Sequence, residues 1–167
     1  MSIGGHHSRG FANDQWLTPP DIVKALGEFD LDPCAADPMP WRIAKQSFNK
    51  FDNGLAREWP ADWRVFLNPP YGEADRWLSR LAAHPGGGTA LIFARTETEL
   101  FFKHVWCKAT SLLFIKGRLH FHHLNGARAK SNCGGPSVLV AYGSYDAKML
   151  EQSRIEGHLL MIAPLIR

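Results

Sequence analysis

The chain has 167 residues and a mass of 18.7 kDa, with 45% hydrophobic and 21% charged residues, which suits one soluble folded domain and excludes an intrinsically disordered chain. No apolar run approaches the ~20 residues of a membrane-spanning helix, the Gly- and His-rich residues 1–13 lack the apolar centre of a signal peptide, and Cys34, Cys107 and Cys133, with no CxxC among them, fit a reducing cytoplasm better than a disulfide framework. The net charge of +3 is unevenly spread: residues 1–99 carry 10 Lys+Arg against 13 Asp+Glu, whereas residues 100–145 carry six basic residues, four of the eight histidines and no acid, the signature of a surface that faces a polyanion.

In chain order, residues 1–15 read as a flexible arm and 16–167 as a single domain. Thr18-Pro19-Pro20-Asp21 opens a helix, with Thr18 as N-cap and Pro19 at the first helical position; Ile22, Val23 and Leu26 follow at helical spacing, and Gly27 ends the pattern. Phe29-Asp30-Leu31-Asp32 alternates as a short strand and stops at Pro33. Residues 33–62 read as irregular, with Asp52-Asn53-Gly54 as a turn. Strands are expected at 64–67, 90–94, 111–116 and 137–142, and helices at 75–83 and from a Thr96/Glu99 capping box to about Cys107. Strands alternating with helices give an α/β fold with a mostly parallel sheet and helices on both faces.

The most specific feature is Asn68-Pro69-Pro70-Tyr71, directly after Val65-Phe66-Leu67. Two prolines cannot continue a central strand, because each lacks the N–H that the ladder needs. The chain therefore leaves the sheet at the carboxyl end of a strand, where open α/β folds bind ligands. There it offers an amide, rigid carbonyls and an aromatic ring. Asn68 and the Pro69 carbonyl can accept both hydrogens of an exocyclic amine, and Tyr71 can stack on the ring that bears it.

Four motifs in series resemble the small phage-type DNA N6-adenine methyltransferases, the Dam-like family. They are Gln15-Trp16-Leu17-Thr18-Pro19-Pro20, Asp30-Leu31-Asp32-Pro33-Cys34-Ala35, Asp52-Asn53-Gly54-Leu55 with Trp59, and Asn68-Pro69-Pro70-Tyr71. The resemblance covers roughly residues 15–143. It implies a Rossmann-like methyltransferase fold, S-adenosylmethionine as cofactor and DNA as partner, in a cytoplasm that is the bacterial host's if the chain is phage-derived. It further implies that Trp16, Thr18, Pro19 and Pro20 border the methionine end of the cofactor, while Asp32, Pro33, Cys34, Ala35, Asp52 and Asn68 contact it. Asn68, Pro69, Pro70 and Tyr71 form the catalytic motif. Phe121, in Gly117-Arg118-Leu119-His120-Phe121, is the counterpart of an aromatic that stacks on the flipped base beside Tyr71. The chain departs from larger methyltransferases in having Pro33-Cys34-Ala35-Ala36 where a GxGxxG would stand.

DNA is expected across residues 116–135, through Lys116, Arg118, His122, His123, Asn125, Arg128, Lys130 and Asn132, on a loop whose Gly and Asn content suggests mobility. His120, His122 and His123 with Cys107 and Cys133 lack the C-x₂₋₄-C spacing of a zinc site, so no metal is expected. Cys34 precedes the amine-binding motif and reads as a packing residue of the cofactor loop, not a C5-cytosine nucleophile. Other readings of the same fold are an N4-cytosine enzyme, an RNA or protein methyltransferase, and a catalytically silent DNA-binding protein; N4-cytosine enzymes more often carry Ser where Asn68 stands. Oligomeric state is left open between a monomer and a weak dimer.

Overall fold

A computed structural model describes residues 15–163, so all but the last residue of the expected N-terminal arm lies outside the described residues. Helix α1 is Pro20–Ala25, followed by strands β1 (Phe29–Asp32), β2 (Ala44–Ser47) and β3 (Val65–Leu67). After β3 come a 3₁₀ turn at Tyr71–Glu73, helix α2 (Ala74–Ala82) and strand β4 (Gly88–Phe93). A one-turn helix α3 (Glu99–Phe101) runs into a π-helical turn (Phe102–Trp106), then strands β5 (Ser111–Ile115) and β6 (Ser137–Tyr142), helix α4 (Ser144–Gln152) and strand β7 (Gly157–Met161).

The strands form one sheet in the order β2-β1-β3-β4-β6-β5-β7. β2, β1, β3 and β4 pair parallel, whereas β6 is antiparallel to both β4 and β5, and β7 is antiparallel to β5. The sheet is therefore mixed rather than parallel throughout, because β6 runs back into the slot between β4 and β5. Period-two alternation divides the core between the two faces. Val65 and Leu67 of β3 join Ala90, Ile92, Val138 and Val140 against Trp77, Leu78 and Leu81 of α2 and the Phe101–Val105 turn. Phe66 joins Leu91, Leu139 and Ala141 on the other face, against Ile22, Val23 and Leu26 of α1 and Ala147 and Leu150 of α4. Helices thus cover both faces.

Two local expectations shift. Thr18 does not cap α1; Pro19 is the N-cap, with no side-chain cap, and the helix starts one residue later. The second cap is Thr98, not Thr96: its side chain accepts from Phe101 N, a function any Thr in the first turn can take once the backbone is placed. None of the helices among the described residues is long and apolar enough to cross a membrane.

A buried ion pair ties the start of β3 to α4. Arg64 Nε and Asp146 Oδ1 lie 2.9 Å apart, Thr89 Oγ1 donates to the same oxygen at 2.7 Å, and Arg64 Nη1 donates to the carbonyls of Leu26 and Glu28 at the end of α1. The guanidinium also lies 3.9 Å from the centre of the Phe29 ring. Burial pushes the Asp146 carboxyl up, against the opposing pull of Arg64. Deleting one partner strands the other in the core, which costs about 3–5 kcal/mol. Asp146→Ala should accordingly lose stability of that order in chemical denaturation; a change below ~1 kcal/mol would show that the pair contributes little.

Candidate active site and nucleic-acid interface

From β1 the chain moves outward to β2, then returns across β1 to β3. The crevice at the carboxyl ends of β1 and β3 is therefore a switch point, the place where open α/β sheets take ligands. Asp32-Pro33-Cys34 leaves β1 there and Asn68-Pro69-Pro70-Tyr71 leaves β3 beside it. The two segments touch: Cys34 Sγ donates to the Asn68 carbonyl at 3.4 Å. Burial pushes the Cys34 thiol up, and the neighbouring Asp32 adds to the effect, which keeps the sulfur neutral and suits a packing residue.

Thr18, which the helix does not need as a cap, serves this crevice instead. It is buried, and its Oγ1 accepts from Asn68 Nδ2 at 3.1 Å. No donor among the described residues reaches Asn68 Oδ1, which is left as a free acceptor. Pro70 gives its carbonyl to Glu73 N at 3.1 Å, whereas no donor among the described residues reaches the carbonyl of Pro69. Two acceptors without a partner among the described residues thus lie on consecutive residues just after β3.

Asp32 is 3% exposed, and among the described residues its Oδ1 accepts only from Cys34 N, at 3.2 Å. Burial pushes its carboxyl up to about 7, with the Cys34 N–H pulling the other way. A buried carboxylate with one backbone donor at a switch-point crevice suits a cationic or hydroxyl-bearing ligand. The third motif packs against this loop: a Cβ on Gly54 would lie 1.9 Å from the Pro33 carbonyl, so only glycine permits the approach. Ala35 N donates to Phe48 O, and Trp59 Nε1 donates to Gly54 O. Asp52 itself closes a turn, accepting from Asn49 N at 2.9 Å, and makes no contact with Asn68.

Tyr71 is 57% exposed and stacks on Phe93, with ring centres 4.5 Å apart and planes at 7°. Phe121 packs in the core. That ring is 8% exposed within the core layer of α1 and α4, because the backbone of 121–129 folds inward to pair Ala129 N with Phe121 O. The expectation that Phe121 stacks on a base thus falls on a ring that is buried here, and the ring that lies against Tyr71 is Phe93, which sequence reasoning did not single out. Its only signal was its place at the end of β4, next to β3.

The basic segment is more ordered than its composition suggests. Residues 121–129 form a small hairpin, with His122 bridged to Arg128 and His123 N bonded to Ala127 O. Leu17 and His122 exchange both backbone hydrogen bonds, and the Trp16 ring lies 5.1 Å from that of His123, so the segment before α1 is stitched to it. His120 and His122 place Nδ1 against the carbonyls of Ala129 and Gly126. Arg118, His123, Asn125, Arg128, Lys130 and Asn132 are exposed. Lys116 is paired with Glu156, and Asn125 caps its own turn through Ala127 N. Neither Arg128 nor Lys130 forms an ion pair among the described residues. A cavity of about 380 Å³ beside Pro19 and Pro20 is lined by Arg118, His120, His122 and Arg128 as well as Asp21. Among the described residues no group of three or more His, Cys, Asp or Glu is placed to hold a metal ion.

The family model described as DNA N-6-adenine-methyltransferase (Dam) matches residues 6–158. A DNA N-6-adenine-methyltransferase of Escherichia phage T1 is 28% identical over 80 residues, 46% of this chain. The match spans a third of the length of that relative, 33%.

The buried Asp32 has a measurable signature. Its folded-state value of about 7 stands above the ordinary 3.8, so the folded protein binds the extra proton between those limits. The stabilisation is complete below the lower value and is lost as pH rises through the higher. Relative to Asp32→Asn, the ligand-free protein should lose about 2–3 kcal/mol of stability between pH 5 and pH 8. A pH-independent difference in denaturation midpoints would show that Asp32 is ionised throughout.

Proposed function

The chain belongs to the DNA N-6-adenine-methyltransferase (Dam) family, and we propose that it transfers the methyl group of S-adenosylmethionine to N6 of an adenine in DNA. The observation that carries this reading is the hydrogen bond from Asn68 Nδ2 to Thr18 Oγ1. An adenine N6 lone pair is delocalised into the ring and is a poor nucleophile until it localises toward the methyl carbon. Acceptors at its two hydrogens favour that change and the positive charge that develops. Asn68 Oδ1 and the Pro69 carbonyl supply them, and the bond to Thr18 Oγ1 holds the Asn68 side chain in place.

The residues present fit the cofactor. When bound, S-adenosylmethionine supplies a methyl group already activated by its sulfonium, so no covalent enzyme intermediate is needed. Asp32 holds an ammonium or a ribose hydroxyl, and a cationic partner there favours its ionised form. Trp16, Thr18, Pro19 and Pro20 border the methionine end, Pro33, Cys34 and Ala35 line the loop, and Asp52 lies on the turn seated against Pro33. Holding N6 within about 3–3.5 Å of the reacting carbon supplies the positional share of the rate.

Stacked in a duplex, N6 cannot reach the crevice, so the base is flipped out at a cost of a few kcal/mol. Stacking on Tyr71 returns about 1–3 kcal/mol. The exposed Arg128 and Lys130, on a stretch without acids, meet phosphates and set the register of the strand.

Two experiments test the reading. With tritiated cofactor, Asn68→Ala should lower kcat by roughly 10²–10³-fold with cofactor affinity nearly unchanged; Thr18→Val should also lower kcat, and Thr18→Ser, which keeps the hydroxyl, should restore it. Transfer by Asn68→Ala within about threefold of the wild type would remove Asn68 from the chemistry. Replacing Arg128 and Lys130 with Ala should reduce the slope of log affinity against log salt by about two, and an unaltered slope would place DNA elsewhere.

A further inference from the structure

Tyr71 has little of its own to hold its ring. Pro70 before it is exposed, and Gly72 after it has no neighbour within 4 Å of where a Cβ would stand. Its one stacking partner among the described residues is Phe93, and that ring is firmly placed. Phe93 ends β4, opposite Ser137 of β6; Ala94 N donates to Pro136 O at 2.9 Å and Arg95 N to Phe93 O at 2.8 Å. The backbone of Gly135 closes on the same ring, for a Cβ there would lie 3.4–3.7 Å from Phe93 Cδ1, Cγ and Cε1.

The spacing decides where a base can go. Two rings with a base between them must stand about 7 Å apart, twice an aromatic contact of ~3.5 Å. Tyr71 and Phe93 are 4.5 Å apart and nearly parallel, so they are already in contact with each other. Tyr71 is nevertheless 57% exposed, so the face it turns away from Phe93 is the open one.

Resting on the transfer to adenine set out above, we propose that Phe93 is a positioning residue: it holds the Tyr71 ring flat from behind, so that the flipped adenine stacks on the outer face of a two-ring pile rather than between two rings. The flipped base then finds its platform preformed and spends no binding energy on fixing a free tyrosine rotamer. Gly135 borders the Phe93 ring with room for a Cβ only at ordinary contact, and the branched methyls of Gly135→Val, which extend beyond that Cβ, press on the ring.

The test uses the full chain and two readouts. One is kcat and KM for unmethylated genomic DNA together with cofactor affinity. The other is the ¹⁹F resonance of fluorotyrosine at Tyr71, one of three tyrosines, assigned with Tyr71→Phe. Phe93→Leu should shift the Tyr71 resonance and lower kcat/KM for DNA about three- to tenfold with cofactor affinity unchanged. Phe93→Tyr, which keeps a flat ring, should restore both. Gly135→Val leaves Phe93 in the chain and should give the same two changes if Phe93→Leu does not fold. An unmoved resonance, or an unchanged kcat/KM, in the variants would overturn the proposal. A wild-type protein that methylates no DNA fails at the functional reading instead, while the Tyr71 resonance still decides whether Phe93 holds the ring.

Discussion

The site depends on one constraint of covalent chemistry. Pro69 and Pro70 have no N–H to give to a neighbouring strand, so the chain must leave the sheet immediately after Leu67. Because β3 lies beside β1 and parallel to it, that exit falls next to the one forced by Pro33. Two strand ends, each closed by proline, thereby open one crevice. The amide, the two acceptors, the buried carboxylate and the exposed aromatic ring all take their positions from it.

What surrounds the crevice serves to keep these groups in place. Thr18 fixes the amide of Asn68, the Cys34 thiol fixes its backbone, and Gly54 lets the acidic turn close on Pro33. The segment carrying Thr18 is in turn paired to the 121–129 hairpin through Leu17 and His122. The hairpin that bears the basic side chains and the segment that holds the Asn68 amide are therefore one hydrogen-bonded unit. At the opposite end of β3 the Arg64–Asp146 pair ties α1, β3 and α4 together, which fixes the strand that leads to Asn68. Such support is what a reaction limited by positioning requires, since displacement by a fraction of an ångström is costly.

Much of this was legible in the residues, for identifiable reasons. Val65–Leu67 and Ser137–Tyr142 are apolar runs buried on both faces, and such runs announce themselves. β2 was not legible, because Ala44-Lys45-Gln46-Ser47 is an edge strand whose middle residues face water and whose order comes from pairing with β1. The helix expected to run to Cys107 changes to a π turn at Phe102, where Phe101 and Val105 are drawn into the core, a tertiary effect with no local mark. The direction of β6 was hidden for the same reason: a strand reads alike both ways. At the site, residue types and order were readable but partnerships were not. Thr18-Pro19-Pro20 fits a helix cap as well as an amide anchor. Phe93 ends the apolar run of β4 whereas Phe121 stands in the basic segment, and only the fold shows that Phe93 is the ring against Tyr71.

The central claim is that this crevice methylates an exocyclic amine of adenine. The most direct test is to incubate the purified protein with labelled S-adenosylmethionine and unmethylated genomic DNA, digest the product and identify the labelled nucleoside by mass spectrometry. The account predicts N6-methyldeoxyadenosine. Label in N4-methyldeoxycytidine would keep the chemistry of the two acceptors and contradict the choice of base, and no labelled nucleoside from a protein that binds the cofactor would contradict DNA as the substrate.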